Sequence, residues 1–301
     1  MKKVLITGAT GLIGQQIVSD CHDQGINVHY LTTSASKIQN TTHYKGFLWN
    51  PNASEIDLDC FDGVSVIINL AGAPIAQRWT QTAKTEIINS RAKSLRFLLE
   101  SIKNHDVKID QLISASAIGY YPPSYTQYYE ESHTNEDQGF LSEVVRQWER
   151  EADAFKTLDI PVSKIRVGLV LAKDGGALPK ISQPIKRFLG ACIGTGKQWQ
   201  SWIHIEDVSQ IFLFAMSNKF DGIYNAVAPN PVTHSAMMRL IAKTLKRRIL
   251  LPNIPENILR LILGEMHVII TKGARVSSKK LESLGFGFKY YQLESALKDL
   301  L

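Results

Sequence analysis

Short, nearly unbroken apolar runs alternate with stretches of helical period through the first half of the chain. Residues 4–7, 27–32, 64–70 and 111–116 form the runs. A strand covered on both faces reads this way, because neither side meets water. Between the runs, residues 12–21, 80–101 and 140–155 repeat apolar positions at helical spacing. In the last stretch Leu141, Val144, Val145, Trp148, Ala152 and Phe155 share one face. A further strand is predicted over 162–171. Strands alternating with helices predict an α/β chain with a doubly wound parallel sheet. Beyond residue 175, glycine- and proline-containing loops at 175–176, 190–196, 229–231 and 252–255 separate shorter helices. This predicts a sheet domain over 1–174 and a smaller C-terminal substrate lobe over 175–301. No linker divides the two, so they are expected to interlock. Met237, Met238, Met266 and the leucines of 259–263 are expected in the core, and Asp207 is expected to cap a helix over 208–217.

The corner between the first strand and first helix reads Gly8-Ala9-Thr10-Gly11-Leu12-Ile13-Gly14. Gly8 permits a tight turn, Gly11 lets backbone approach a pyrophosphate, and Gly14 allows close helix–strand packing. The free amides and positive end of the helix then face the phosphates. A glycine pattern alone is weak, but this one follows a strand and opens an amphipathic helix. The fold predicted is therefore a Rossmann-type NAD(P)-binding sheet. An NAD site usually carries Asp or Glu at the end of the second strand, to bond the ribose 2′-hydroxyl. Residues 24–54 contain neither, and the strand ends in Thr32, Thr33 and Ser34 with Lys37 beyond. Hydroxyls and a cation suit a 2′-phosphate, so NADP is predicted over NAD.

Composition mainly excludes. With 301 residues, 44% of them apolar, the chain can bury a large core. A net charge of +6 suits an anionic small ligand. The densest basic run, Lys246-Arg247-Arg248, reads as a solvated helix end, so no nucleic-acid partner is expected. Three separated cysteines (Cys21, Cys60, Cys192) indicate a reducing compartment rather than a disulfide framework or zinc site. Scattered histidines with no H-E-x-x-H predict no metal. The longest candidate span, 258–271, is broken by Arg260 and Glu265, so no membrane partner is expected. The opening apolar stretch is too short for the core of a leader, and a cytoplasmic location is expected. A homodimer is compatible with all of this.

The glycine spacing is that of short-chain dehydrogenases/reductases, and Asn69-Leu70-Ala71-Gly72 resembles their N-A-G-type segment. Longer strings follow: Trp49-Asn50-Pro51, Arg78-Trp79, Ser90-Arg91, residues 114–121 (SASAIGYY), Trp148-Glu149 and Ile165-Arg166-Val167-Gly168. Gly175-Gly176-Ala177-Leu178-Pro179, residues 194–207, residues 225–229 (NAVAP), Gly264-Glu265-Met266 and residues 296–301 (ALKDLL) complete the set. Together they identify the chain as similar, end to end, to the atypical extended short-chain dehydrogenases of the NAD-dependent epimerase/dehydratase-like family, the human 39U branch among them. The resemblance implies cofactor contacts at Gly8, Thr10, Gly11, Leu12, Ile13, Thr32 and Thr33. It implies passage of Leu70, Ala71 and Gly72 beneath the nicotinamide-side ribose, and contacts from Glu86 and Arg91. Thr33 stands where relatives often carry arginine.

Ordinary members of the superfamily use Ser/Thr, Tyr and Lys to move a proton while hydride transfers. Ser116 matches the serine. The helix that should open with Tyr-x-x-x-Lys reads Phe140-Leu141-Ser142-Glu143-Val144-Val145, with no tyrosine and no lysine before Lys156. Tyr120 and Tyr121 are candidate substitutes, or packing residues. Tyr125, Tyr128, Tyr129, Glu130 and Glu131 lie in the next loop, and Ser116 could serve only to hold the cofactor. In the second lobe, Lys197, Trp199 and Trp202 on a glycine-rich loop could grip a substrate, or the tryptophans could fill the core. Arg166 could face cofactor or substrate, and His204 could be an acid–base group or a helix brace. Two readings follow. One is an NADP-dependent oxidoreductase or epimerase acting on a small polar or nucleotide-sugar substrate through an altered proton relay. The other is a non-catalytic NADP(H)-binding sensor or scaffold.

Overall fold

A parallel sheet whose strand order reverses beside its first strand organises the chain. The computed structural model describes residues 2–301. Among these, eight strands build the large sheet: β1 (Lys3–Thr7), β2 (Asn27–Thr32), β3 (Tyr44–Asn50), β4 (Glu55–Ile56), β5 (Val66–Asn69), β6 (Gln111–Ala117), β7 (Val162–Val167) and β8 (Gly222–Ala226). They lie in the order β8-β7-β6-β5-β1-β2-β3-β4, parallel except for the β3–β4 edge. From β1 the chain winds first to β2 and later to β5, so the crevice at their carboxyl ends is the switch point where such sheets bind ligands. Val4, Leu5, Ile6, Ile67, Ile68, Leu112, Ile113 and Ile165 are fully buried, which explains the unbroken apolar runs.

Helices cover both faces. Helix α1 (Leu12–Asp23) packs with a later helix, 205–217, where Asp20 accepts hydrogen bonds from Ser209 (2.6 Å) and Gln210 (2.9 Å). On the other face lie α2 (Gln81–Asn104), capped by the Thr80 hydroxyl, and α3 (Phe140–Asp153). The second half adds α4 (Leu178–Lys186), α5 (Ile205–Ser217), α6 (His234–Thr244), α7 (Glu256–Leu263) and α8 (Leu293–Leu300). Met237, Met238, Trp202, Leu293 and Leu297 form a second apolar core there. Helix α5 and strand β8 return to the large sheet, so a division at 174/175 does not separate sheet from lobe.

Three expectations are corrected. The strand expected over 162–171 is two strands in two sheets. β7 stays in the large sheet, while Leu169–Ala172 pairs with Trp202–His204 and Gly175–Gly176. The switch falls at Gly168, where a Cβ would lie 2.3 Å from the Ser201 carbonyl oxygen, so only glycine fits. Strand β3 escaped periodicity because Lys45, Gly46 and half-exposed neighbours break its apolar run. Gly46 is required there, since the Tyr30 ring occupies the space of a side chain. Of the leucines of 259–263 only Leu259 is buried, and Leu261 is 85% exposed.

Gly14 sits in α1 directly over the turn. An added Cβ would lie 2.3 Å from the Gly8 carbonyl oxygen and 2.7 Å from Ala9 Cα, both backbone atoms that cannot step aside. Gly14→Ala is expected to lower the unfolding free energy by about 1–3 kcal/mol, as overpacking does. A urea titration checks this, and an unchanged midpoint would refute the packing role.

Candidate functional site

The switch-point crevice is held by a buried chain of hydroxyl and amide groups. The Thr7 hydroxyl donates to Asn69 Oδ1 (2.7 Å) and accepts the backbone N–H groups of Leu70 (3.1 Å) and Ala71 (3.2 Å). The Asn69 side-chain amide donates to Ser114 Oγ (3.0 Å). The ends of β1, β5 and β6 are thus tied at one level, and the segment 70–72 is pinned against the glycine corner. Gly8 has φ +73° and lies so near Leu70 that a Cβ would meet its carbonyl carbon and oxygen at 3.0 Å.

Above this corner opens a cavity of about 820 Å³. Gly8, Thr10, Ala71, Gly72 and Ala73 form one end, and Leu31, Thr32, Thr33, Ser34 and Lys37 the other. Trp49, Pro51 and Asn52 close a side, and α2 supplies Gln81, Thr82, Thr85, Glu86, Asn89, Ser90 and Ser94. No side chain caps the start of α1 after Gly11, so its first-turn amides, Leu12 and Ile13 among them, lack a capping partner. Uncapped amides, a glycine corner and the exposed Lys37 suit a polyanionic dinucleotide. Glu86 is the only carboxylate among the lining residues.

Of the expected cofactor residues, the structure brings Gly8, Thr10, Thr32, Thr33, Ala71, Gly72 and Glu86 to this cavity. Gly11, Leu12 and Ile13 stand at the helix start beside it, and Leu70 behind it. Arg91 is a correction. It is buried behind the wall, donating Nη1 to the Ile87 carbonyl (3.0 Å), its guanidinium 5.0 Å from the Trp148 ring centre. A Cβ on Gly72 would lie 2.7 Å from Arg91 Cζ, so the arginine backs the loop instead of lining the cavity. Burial lowers its pKa to about 10. Trp49 and Pro51 were visible only as a family string, while Thr85 and Asn89 are polar positions on a helix with nothing in the sequence to set them apart.

A second cavity of about 480 Å³ opens at the carboxyl ends of β6 and β7. Its walls are mostly apolar: Trp79, Ile118, Tyr121, Phe140, Leu141, Trp199, Val268 and Ile269, with Asp137, Arg260, Glu265, His267 and Lys272 also present. Glu265 is paired with Lys84 at 2.5 Å. Leu141 comes from the first turn of α3, where the sequence reads without tyrosine or lysine. The contribution of 260–274 was missed, because that stretch reads as another apolar helix.

Behind Tyr121 of the second cavity lies a buried charged cluster. Glu149 Oε1 accepts from Ser116 Oγ (2.6 Å) and Arg166 Nε (2.7 Å), and Oε2 accepts from Arg166 Nη2 (2.9 Å). The Arg166 guanidinium lies 3.6 Å from the Tyr120 ring centre and 5.1 Å from that of Tyr121. Burial pulls the Arg166 pKa down, but the Glu149 pair outweighs it and the net shift is upward. Burial raises the Tyr121 pKa, with Arg166 opposing. Tyr121 OH donates to Asn225 Oδ1 (2.9 Å), and the Tyr120 OH to the Thr134 carbonyl (3.1 Å). Among Ser116, Tyr120 and Tyr121, only Tyr121 lines the second cavity.

The substrate candidates divide. Trp199 lines the second cavity, its indole N–H donating to the Tyr125 carbonyl (2.8 Å). Lys197 is exposed and lines neither cavity. Arg166, Trp202 and His204 are corrections. Arg166 is buried and bonded to Glu149 through Nε and Nη2, and Trp202 is buried with its indole N–H donating to the Asn230 carbonyl (2.9 Å). His204, not Asp207, caps α5, its Nδ1 accepting the Glu206 N–H. Its ring stacks on Tyr290, and burial lowers its pKa. Asp207 instead accepts the backbone N–H groups of Lys289 and Tyr290. Among the described residues there is no cluster suited to a metal, and no helix long and apolar enough to cross a membrane.

The sheet order and the cleft at its switch point define an extended short-chain dehydrogenase/reductase fold. The chain belongs to the NAD dependent epimerase/dehydratase family, whose model matches residues 4–226, and a domain of unknown function, DUF1731, matches 254–300. Epimerase family protein SERP0438 of Staphylococcus epidermidis is 36% identical over 305 residues, covering 100% of this chain and 99% of the relative. Epimerase family protein SAR0825 of Staphylococcus aureus matches to the same extent, 36% over 305 residues. The structure is similar to that of human epimerase family protein SDR39U1 (isoform 2) with NADPH, with a TM-score of 0.84, 25% identity and coverage of 99% and 98% of the two chains. It is also similar to a nucleoside-diphosphate sugar epimerase from Corynebacterium glutamicum, with a TM-score of 0.79 and 28% identity, covering 100% of this chain and 58% of that one.

Glu149→Gln would leave the Arg166 cation buried without its counter-charge. A loss of about 3–5 kcal/mol in unfolding free energy is expected, the usual cost of breaking a buried pair from one side. Denaturant unfolding measures it, and a loss below about 1 kcal/mol would mean that Arg166 finds another partner or water.

Proposed function

We propose that the protein binds NADP(H) in the first cavity and uses it to reduce a carbonyl compound held in the second. The observation that carries this reading is the joint placement of two cavities at the carboxyl ends of one sheet, with Tyr121 on the wall of the second. The human relative with NADPH supports the choice of cofactor. So does the lining at the end of β2, which offers Thr32, Thr33, Ser34 and Lys37 and no carboxylate. A bound nicotinamide would supply or accept hydride.

The residues of this chain would supply the rest. The Tyr121 phenol on the wall of the second cavity would be the proton donor to the carbonyl oxygen of a substrate being reduced, with Arg166 opposing the rise in its pKa that burial causes. Arg166 beside the ring would steady the phenolate left behind, and Glu149 holds Arg166 and Ser116 in place. The apolar walls of the second cavity favour an apolar carbonyl compound over the sugar nucleotide of the more distant relatives. A second reading, a non-catalytic NADP(H) sensor, is favoured by one fact: the Ser116 and Tyr121 hydroxyls both donate to internal partners.

Calorimetry is expected to give NADPH at least tenfold tighter binding than NADH. Thr33→Asp, which restores a carboxylate at the end of β2, should reverse that order. Equal affinities in the unaltered protein would refute the cofactor assignment. With a panel of apolar aldehydes and ketones, Tyr121→Phe should cut NADPH oxidation by about 10²-fold or more, in the range for loss of a general acid, with NADPH affinity unchanged. No turnover by the unaltered protein with any member of the panel, alongside intact NADPH binding, would favour the sensor reading.

A further inference from the structure

Two loops far apart in sequence lie side by side at the tip of the second lobe. Arg247 Nε donates to the Lys186 carbonyl (3.4 Å), and its guanidinium lies 5.0 Å from the Phe188 ring centre. Further along, the Ile254 N–H donates to the Cys192 carbonyl and the Gly194 N–H to the Ile254 carbonyl, so 186–194 runs beside 247–254. The first loop follows α4 and the second follows α6. Each turns through a left-handed residue that is not glycine, Phe188 (φ +61°) and Lys246 (φ +54°).

The composition of this tip is one-sided. Phe188 is 50% exposed, Leu189 61%, Leu250 67% and Leu251 44%. Lys186, Arg187, Lys246, Arg247 and Arg248 are exposed among them. Residues 178–194 and 244–255 contain no Asp or Glu, and among the described residues none of the five cations pairs with a carboxylate. The basic run expected to be a solvated helix end thus gains a second basic loop and four large apolar side chains. Soluble surfaces seldom gather exposed apolar groups this way without a partner.

We propose that this tip docks on an anionic phospholipid surface, the aliphatic and phenyl groups entering the acyl boundary and the cations meeting the headgroups. Peripheral binding of this kind combines apolar insertion with electrostatic attraction and needs no spanning helix. Charge decides against a second copy of the chain. A two-fold interface would face each patch with itself, five cations against five. Side-chain type decides against nucleic acid. Three of the four apolar residues are leucines, which offer no ring for a base to stack on.

Co-sedimentation with vesicles tests this on the full chain. Vesicles of phosphatidylcholine with about one third phosphatidylglycerol should capture the protein, and pure phosphatidylcholine should not. Added salt should weaken capture. Lys246→Gln, Arg247→Gln and Arg248→Gln together should lower affinity by about 10²-fold, near fivefold per cation. Leu250→Ser with Leu251→Ser should lower it about tenfold or more. Both variants alter exposed residues away from the first cavity, so NADPH binding should stay unchanged and would confirm intact folding even where loss of the Arg247 contacts lowers the melting temperature. Absence of capture, equal capture by neutral vesicles, or capture undiminished in both variants would overturn the proposal. So would self-association in gel filtration, or binding of single-stranded DNA in preference to vesicles, if the leucine or basic variants abolish it.

Discussion

A single hydroxyl, that of Thr7, ties the end of β1 to the end of β5 and the loop after it, at the point where the sheet reverses its winding. It donates to the buried Asn69 at one strand end and accepts two amides from the half-buried loop that follows. A buried polar group is costly unless satisfied, so this arrangement admits few alternatives. The loop it fixes is the one that crowds Gly8, and Gly8 in turn sets where the first helix begins. The direction of the uncapped amides therefore follows from a contact at the bottom of the crevice. The switch-point cleft is built from below, by strand ends tied together, and the residues at its rim inherit that order.

Much of this could be read from the sequence because it obeys periodicities that water imposes. Fully covered strands have unbroken apolar runs, and glycines mark places where backbone meets backbone. Gly8, Gly11 and Gly14 were legible for that reason, as were Thr32 and Thr33 through the absence of a carboxylate nearby. What escaped was decided by contacts between distant segments. Arg91 looked like a cofactor ligand because it lies on the helix that lines the cleft, but its side chain turns inward under Gly72 onto Trp148. His204 and Trp202 lay in a loop with the ingredients of a binding site, yet packing of the second core against α5 claims both. Strand β3 was hidden by Gly46, whose absent side chain makes room for Tyr30, its register partner on the neighbouring strand.

The charged cluster beside the second cavity is built from α3 and β7 together. The start of α3 reads Phe140-Leu141-Ser142-Glu143-Val144-Val145, without tyrosine or lysine. One turn later it presents Glu149, and the arginine that answers it comes from the neighbouring strand. Positive charge is thus kept near the end of β6, but it enters from β7 and is balanced by a carboxylate. The hydroxyl of Ser116 is drawn to that carboxylate. The cation there is planar and held in two ways, by a carboxylate fork along its edge and by a tyrosine ring against its face.

The change of sheet at Gly168 carries a mechanical consequence. One uninterrupted run of backbone belongs to both layers, and its amides at 168 and 169 are clamped by carbonyls from opposite sides, Ala226 and Ser201. Rotation of the lobe as a body about the sheet would have to shear those clamps. Opening and closing over a guest is thereby restricted to peripheral pieces, such as the short helices of 256–271, whose outer faces are sparsely packed. The molecule resembles a hand with a fused wrist, in which only the fingers are free to curl.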